Sequence, residues 1–382
     1  MSEAAVIGGG VVGCAVLHAL ARRGVQTVLL EAEQELALGA SGANSGILHT
    51  GFDSQPGTLE TRLLLRSNAL RAELDAELGV EVWRCGALLT PHNEDGRAAV
   101  ARLAENARAN GVEAQLDGDG ALSVPGEAVT DPVAYVRALA AAAQAGGARV
   151  LLGARVSAIA RDPDGGLVLE CDGREPLRAG AVVNCAGLFA DEIARLAGED
   201  PVSVYPRKGE FLVLSPPSSE PLARILLPVP SALGKGVLVF PTLDRMLIAG
   251  PTAREREDKR DWSVEDDARE LILARAVSMY PPLALAEEVA AYAGLRPAGR
   301  GANYVIEPSR ALPGLVHAAA IRSTGLSAAL AIGEYVVELL ARDGAVRPRA
   351  PRPLPAPPRS PACEPWWRRA ARRSERAQEP RP

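Results

Sequence analysis

The chain has 382 residues, 47% of them hydrophobic and 23% charged, with a formal net charge of −5. That is enough apolar material for about two to three domain-sized units, and no uninterrupted apolar run of about 18 residues is there to span a bilayer. Five scattered cysteines (Cys14, Cys85, Cys171, Cys185, Cys363) without a C-x-x-C pair or a histidine cluster argue against a zinc or iron–sulfur centre. They fit a reducing, cytoplasmic setting, and no signal-peptide pattern precedes the first strand.

The chain opens on a dinucleotide-type turn. The apolar run Ala4–Ile7 predicts a buried strand, and Gly8, Gly10 and Gly13 follow in the spacing G-x-G-x-x-G. In that pattern the first glycine makes the turn, the second leaves room for a pyrophosphate, and the third lets the helix pack on the strand. A helix over roughly Cys14 to Arg23 would aim its free N–H groups at the phosphates. Val25–Leu30 reads as the second strand, closed by Glu31, an acid placed to accept hydrogen bonds from a ribose diol.

Residues 39–57 then form a polar loop rich in Gly, Ser and Asn, the kind that covers a cofactor or carries function. Amphipathic helices are expected over Leu59–Leu78 and from about Glu94 to Asn110. Asp131-Pro132 starts another, which Gly146-Gly147 ends. Arg149 to Arg161 alternates as a strand, with Leu167–Cys171 as hairpin partner across Asp164-Gly165-Gly166. Ala181–Gly187 is again an apolar strand ending on glycine, with a helix from Ala190. Residues 209–250 read as short antiparallel strands, and Ser263–Asp266 as the cap of a helix reaching Met279. Strands at Val289–Leu295 and Gly314–Ile321 and a last helix from Thr324 to Arg342 complete the body.

Residues 346–382 differ in kind. They hold ten Arg and three Glu, a net of +7 against −12 for the rest, and ten of the thirty prolines. This tail is expected to be extended or disordered. Its cluster Trp366-Trp367-Arg368-Arg369-Ala370-Ala371-Arg372-Arg373 has two readings. It makes peripheral contact with an anionic membrane surface, or, as favoured, a short helix packs on the acidic body. Nucleic-acid binding is not expected of so acidic a body.

Cofactor-type signals thus recur at the start, the middle and the end of the chain. That interleaving suits FAD, a long dinucleotide lying across a substrate domain, better than a nicotinamide held in one contiguous domain. The fold class expected is α/β (α+β), a Rossmann-like FAD-binding domain interleaved with a substrate domain on an antiparallel sheet. The boundaries read 1–80, 147–205 and 290–345 for the first, 81–146 and 206–289 for the second.

The glycine fingerprint, Gly42-Ala43-Asn44-Ser45-Gly46-Ile47-Leu48-His49, Asn184-Cys185-Ala186-Gly187 and Arg322-Ser323-Thr324-Gly325-Leu326-Ser327 together resemble the FAD-dependent amino-acid and hydroxy-acid oxidase superfamily. The resemblance covers roughly residues 3–342. It is strongest to the branch of glycerol 3-phosphate oxidases and dehydrogenases, with L-2-hydroxyglutarate dehydrogenase as neighbour. Ala320 departs from the pattern, standing where relatives commonly carry glycine, and no cysteine-rich C-terminal domain follows.

The resemblance implies FAD contacts from Ser41, Gly42, Asn44, Ser45, Val156, Ala186, Gly187, Gly325, Leu326 and Ser327. The helix dipole at Gly325 would face the ring system where charge develops on reduction. Oxidising a secondary alcohol needs a base, a hydride path to the flavin and an anchor for the substrate anion. His49, one of four histidines, can serve as base near neutral pH, and its position matches the family's base. Arg296, after an apolar strand and before Pro297, matches the arginine that holds the substrate anion. Lys235, between two glycines, resembles the phosphate-contacting lysine of the glycerol 3-phosphate branch. Ser45 and Ser323 would hydrogen-bond substrate oxygens, and Arg322 would do the same or cap a carboxylate.

His18 and His317 read as packing. Lys208, Lys259 and the charge run Arg254–Asp261 read as a solvated loop.

The expected reaction is oxidation of a small anionic alcohol, glycerol 3-phosphate first, with oxygen or a quinone as electron acceptor. L-2-hydroxyglutarate and amines such as sarcosine or a D-amino acid are alternative substrates. A flavin-bound scaffold docking through its basic tail is the non-enzymatic alternative.

Overall fold

A computed structural model describes residues 2–216, 222–229, 236–356 and 364–379. Its helices are α1 (Val11–Arg22), α2 (Leu59–Leu78), α3 (Glu94–Ala109), α4 (Pro132–Ala145), α5 (Ala190–Leu196), α6 (Asp266–Met279), α7 (Gly325–Arg342) and α8 (Trp366–Gln378). Their ends follow local chemistry. The Thr58 side chain accepts from Thr61 N at the start of α2, and left-handed Gly79 stops that helix. Asp131 accepts from Val133 N and Ala134 N ahead of Pro132. The expected cap at Ser263–Asp266 does not form: Glu265 is the N-cap residue and no side chain closes on the turn. Ser263 Oγ instead accepts from Lys208 Nζ at 3.0 Å and donates to Asp261.

The first sheet is built on Ser2–Ile7, which runs parallel to Thr27–Leu30 on one side and to Leu177–Asn184 on the other. Leu177–Asn184 in turn carries Leu315–Ala319 in parallel, and Thr27–Leu30 carries Arg149–Leu151. The stretch 149–161, expected as one strand, is therefore two. Arg149–Leu151 joins the parallel side, while Val156–Arg161 pairs antiparallel with Leu167–Cys171. Strands buried on both faces need covering helices, and α1 packs against α7 and α4.

Among the described residues the second sheet has nine strands. Its longest pair is Val204–Leu214 against Glu288–Gly299, antiparallel, with Arg207 directly opposite Arg296. A small third sheet joins Ile47–Leu48, Ala128–Thr130 and Val82–Trp83.

Two segments fall on the other side of the expected boundaries. Helix α4, assigned above to the substrate domain, packs on α1 and α2. It is the crossover that delivers Arg149–Leu151 parallel to Thr27–Leu30, and a parallel pair requires such a connection. Strand Glu288–Gly299, most of it assigned to the cofactor domain, belongs to the second sheet because its long partner is Val204–Leu214.

The tail is not wholly extended: as in the favoured reading of its Trp/Arg cluster, helix α8 is docked on the body, with Trp366 and Trp367 only 5% and 3% exposed. Trp366 meets Tyr292 edge-on, and Tyr292 stacks on Phe211. Ala370, Ala371 and Ser374 continue the buried stripe at helical spacing. Ser374 Oγ accepts from Ala293 N at 3.0 Å, Trp367 Nε1 donates to Asp244 at 3.0 Å, and Arg369 donates to Leu36 O at 3.0 Å. Arg373 donates to Leu38 O and lies over the Trp262 ring. The tryptophans therefore face the body and are withdrawn from any membrane surface. Among the described residues no helix is long and apolar enough to cross a membrane.

Candidate active site

A cavity of about 2320 Å³ opens along the glycine turn and is lined by residues of both large sheets. At one end the first turn is sterically committed to glycine. Gly8 has φ +107°, and a Cβ there would lie 2.5 Å from Cys185 O. A Cβ on Gly13 would lie 1.9 Å from Gly8 O, so α1 approaches the strand only because Gly13 lacks one. Gly10 is on the cavity wall, and Ser41 Oγ beside it accepts from Val11 N at 2.9 Å. Glu31 ends Thr27–Leu30 with its carboxylate accepting from Gly9 N at 2.5 Å and Glu33 N at 2.8 Å. Val156, Ala186, Gly187 and the first residues of α7, Gly325 and Leu326, share the same wall.

Two expected cofactor contacts lie behind the wall. Gly42 is buried, where any Cβ would stand 2.0 Å from Ala37 O; its smallness serves the loop's own packing. Ser327 is buried in α7 and accepts from His49 N at 2.8 Å, so it holds the loop. Asn44 and Ser45 are on the wall and shape the turn, accepting from Gly46 N at 2.9 Å and Ile47 N at 3.3 Å.

The loop between 44 and 50 brings His49 to the cavity. Its Nδ1 lies 2.8 Å from Glu127 Oε2, and Glu127 is fully buried. The other carboxylate oxygen accepts from Thr50 N at 2.6 Å and Thr50 Oγ1 at 2.8 Å. A carboxylate surrounded by donors is acceptor-only, so the pattern assigns the imidazole proton to Nδ1 and makes Nε2 the basic nitrogen. Buried Arg71 of α2 clamps the loop from behind, donating to Ser327 O at 2.6 Å and His49 O at 3.3 Å.

Facing this loop, Arg296 lies against the backbone of Val204–Leu214. Its Nε donates to Arg207 O at 3.0 Å, and Nη2 donates to Lys208 O at 3.2 Å and Thr252 O at 2.7 Å. Gly209 makes the space, since a Cβ there would lie 2.7 Å from Arg296 Nη2. Arg296 makes no ion pair among the described residues. Burial pushes its guanidinium down to about 10, with Arg207 and Arg322 adding repulsion, and it stays charged at neutral pH. Arg322, exposed at the wall, gives its Nε to Asn303 Oδ1 at 3.1 Å; among the described residues it caps no carboxylate. Ser323 is beside it on the wall.

The FAD dependent oxidoreductase family model matches residues 3–339. The chain belongs to this family. It is 31% identical over 356 residues to a glycerol 3-phosphate dehydrogenase of Caloramator mitchellensis, covering 89% of this chain and 74% of that protein. It superposes on the FAD-bound, dithionite-reduced L-alpha-glycerophosphate oxidase of Mycoplasma pneumoniae with a TM-score of 0.82 and 27% identity, over 89% and 94% of the two chains. It is also 27% identical over 289 residues to an L-2-hydroxyglutarate dehydrogenase of Escherichia coli, covering 70% of this chain and 68% of that one.

As a member of the family the chain is an FAD-dependent oxidoreductase, and the wall fits the cofactor. The side-chain-free turn, the acid after the second strand and the helix start at Gly325 are the features a flavin dinucleotide needs. Of the other sequence candidates, Lys235 lies outside the described residues.

The reading of Lys208 as a solvated loop residue is overturned. Its side chain is completely buried, with Nζ donating to Asp261 at 2.9 Å, Ser263 and Glu265. Lys259 pairs with Asp191 at 2.6 Å and lies over Phe189. Within the run 254–261, Arg254 and Arg256 join this network through Glu265, while Glu255, Glu257, Asp258 and Arg260 are exposed as expected. His18 and His317 are core residues: His18 is buried in α1, and His317 contacts Asn184 at 3.1 Å and Glu199 at 2.9 Å. The residues that sequence reasoning missed are Glu127, Arg71 and Arg207. Glu127, a lone acid between the apolar runs 121–124 and 128–130, was the one signal within reach.

Proposed function

We propose that this flavoprotein oxidises the secondary alcohol of sn-glycerol 3-phosphate to dihydroxyacetone phosphate. The observation that carries the reading is a single cavity holding a carboxylate-oriented imidazole, His49–Glu127, and a half-buried arginine, Arg296, with no carboxylate partner among the described residues. The likeness to glycerol 3-phosphate enzymes supports the substrate.

The backbone around Gly8–Val12 with Ser41 would hold the FAD pyrophosphate and Glu31 the ribose. Val156 would meet the adenine, and the start of α7 the pyrimidine side of the ring. FAD, when bound, supplies the acceptor for the carbon-bound hydrogen and its two electrons. His49 takes the hydroxyl proton at Nε2, because Nδ1 keeps its own against Glu127. The imidazolium that results faces the Glu127 carboxyl group, fixed in place by Thr50 N and Oγ1, so the charge forms beside a preorganised acceptor. Arg296 anchors the anionic end, fixed in place by carbonyls that a flexible surface arginine would lack, with Ser45 and Ser323 within the same wall for the remaining oxygens. Arg71 and Ser327 keep the His49 loop from shifting.

The test is anaerobic reduction of the purified yellow protein. Bleaching by glycerol 3-phosphate, with colour restored by air or by a quinone, is the expected result, and the restoring agent identifies the acceptor. Bleaching by L-2-hydroxyglutarate alone would keep the dyad and replace the substrate. That second reading draws support from the likeness to L-2-hydroxyglutarate dehydrogenase.

A further inference from the structure

Arg207 and Arg296 stand directly opposite each other on neighbouring antiparallel strands. Side chains so placed leave the sheet on the same face, with Cβ atoms about 5 Å apart, and like charges there repel. Both line the cavity. Arg296 spends Nε and Nη2 on carbonyls, and the Arg207 side chain has no hydrogen bond or ion pair among the described residues. Glu255, opposite Arg207 on its other side, has one carboxylate oxygen occupied by Tyr205 OH at 3.0 Å, and one acid beside two arginines leaves the Arg207–Arg296 pair net positive. Arg322 adds a third positive charge at the same wall. A wall patch that gathers cations in excess of acids is suited to meet an anion.

We propose that Arg207 and Arg296 form a two-guanidinium clamp for a dianion, and that Arg207 selects a phosphate monoester over a monocarboxylate. The inference rests on the reading of the site given above and names its substrate class. A phosphate ester has its second pKa near 6 and carries close to two charges at pH 7.5, with three oxygens for the free Nη1 of Arg296 and the whole fork of Arg207. A carboxylate has one charge, which Arg296 alone balances. In this arrangement Arg296 fixes the anion against the strand and Arg207 closes on it from the open side.

The probe is inorganic phosphate, titrated calorimetrically into the FAD-loaded protein at pH 7.5, with acetate as the single-charge control. The wild type binds phosphate at least ten-fold more tightly than acetate. Arg207→Met weakens phosphate about 30-fold or more, leaves acetate within about three-fold, and Arg207→Lys falls between. Without ligand, Arg207→Met melts at or above the wild-type temperature, because a repulsion has been removed; a misfolded variant would melt below it.

Equal phosphate affinity in wild type and Arg207→Met, or no phosphate binding by the wild type, overturns the clamp. With glycerol 3-phosphate the loss in Arg207→Met falls on KM rather than kcat. A wild type that binds phosphate through Arg207 but is not bleached by glycerol 3-phosphate keeps the clamp and removes the proposed reaction. Bleaching unaffected by Arg207→Met keeps the reaction and removes the clamp.

Discussion

Glu127 shows how much one buried acid decides at the residue scale. Replacing it with Gln preserves shape but removes the charge that holds the imidazole proton on Nδ1 and compensates the imidazolium. Glu127→Gln should lower kcat about 100-fold with little change in KM, as expected for a contribution made to proton removal. Steady-state rates over a range of substrate concentrations at one pH would show that split. An unchanged kcat would separate Glu127 from the base.

Ala320 is a second residue-scale case. It sits at φ +54°, in the left-handed region, buried between the strand Leu315–Ala319 and α7. That explains why glycine is the expected residue there. An L-residue in that region costs on the order of 1–2 kcal/mol. Chain entropy and the burial of one methyl group together return a similar amount.

At the scale of elements, the tail helix is where composition and the fold diverge most. Proline and arginine content says little about α8, because its stability comes from Tyr292, Asp244, Leu36 and Leu38, all far away in the chain. Trp366→Ala should cost about 3–5 kcal/mol, the usual penalty for emptying a buried indole site. It should also speed release of FAD, since Arg369 and Arg373 tie α8 to the segment just before Ser41. Chemical denaturation and the rise of free-flavin fluorescence after dilution would report both effects. Stability lost without faster release would confine α8 to a structural role.

What was legible in the chain follows the same division. Gly8, Gly10, Gly13 and Glu31 are readable because the turn, the helix and the acid are neighbours in sequence. Asp131-Pro132 and Gly79 are readable for the same reason. Lys208 was misread, since its acids lie 53 and 57 residues away and only strand pairing folds them back onto it. Arg207 was invisible because its meaning depends on a register with Arg296, 89 residues further on.

For the molecule as a whole, the sign of charge is divided. The chain up to residue 345 carries a net −12, yet Arg207, Arg296 and Arg322 share one wall of the cavity. A low-dielectric cleft lined by one sign focuses the field and draws in the opposite sign. For an anionic substrate, kcat/KM should fall roughly ten-fold between about 20 mM and 500 mM salt, and kcat should hold. Stopped-flow flavin reduction at a series of salt concentrations measures this. A flat response would mean that the acidic surface cancels the arginines before a ligand arrives.

The bond from Ala293 N to Ser374 Oγ has a wider meaning. Strand Glu288–Gly299 is paired on one side only, with Val204–Leu214, and α8 lies along it. An outermost strand with free amides invites another chain to add itself, and natural proteins cover such rims. Here the cover is helix α8, which follows the rim strand in the chain and is therefore made after it. A body without α8 leaves that rim open to its neighbours. Translation that stops before residue 364 would yield a polypeptide prone to self-association even with every catalytic side chain in place.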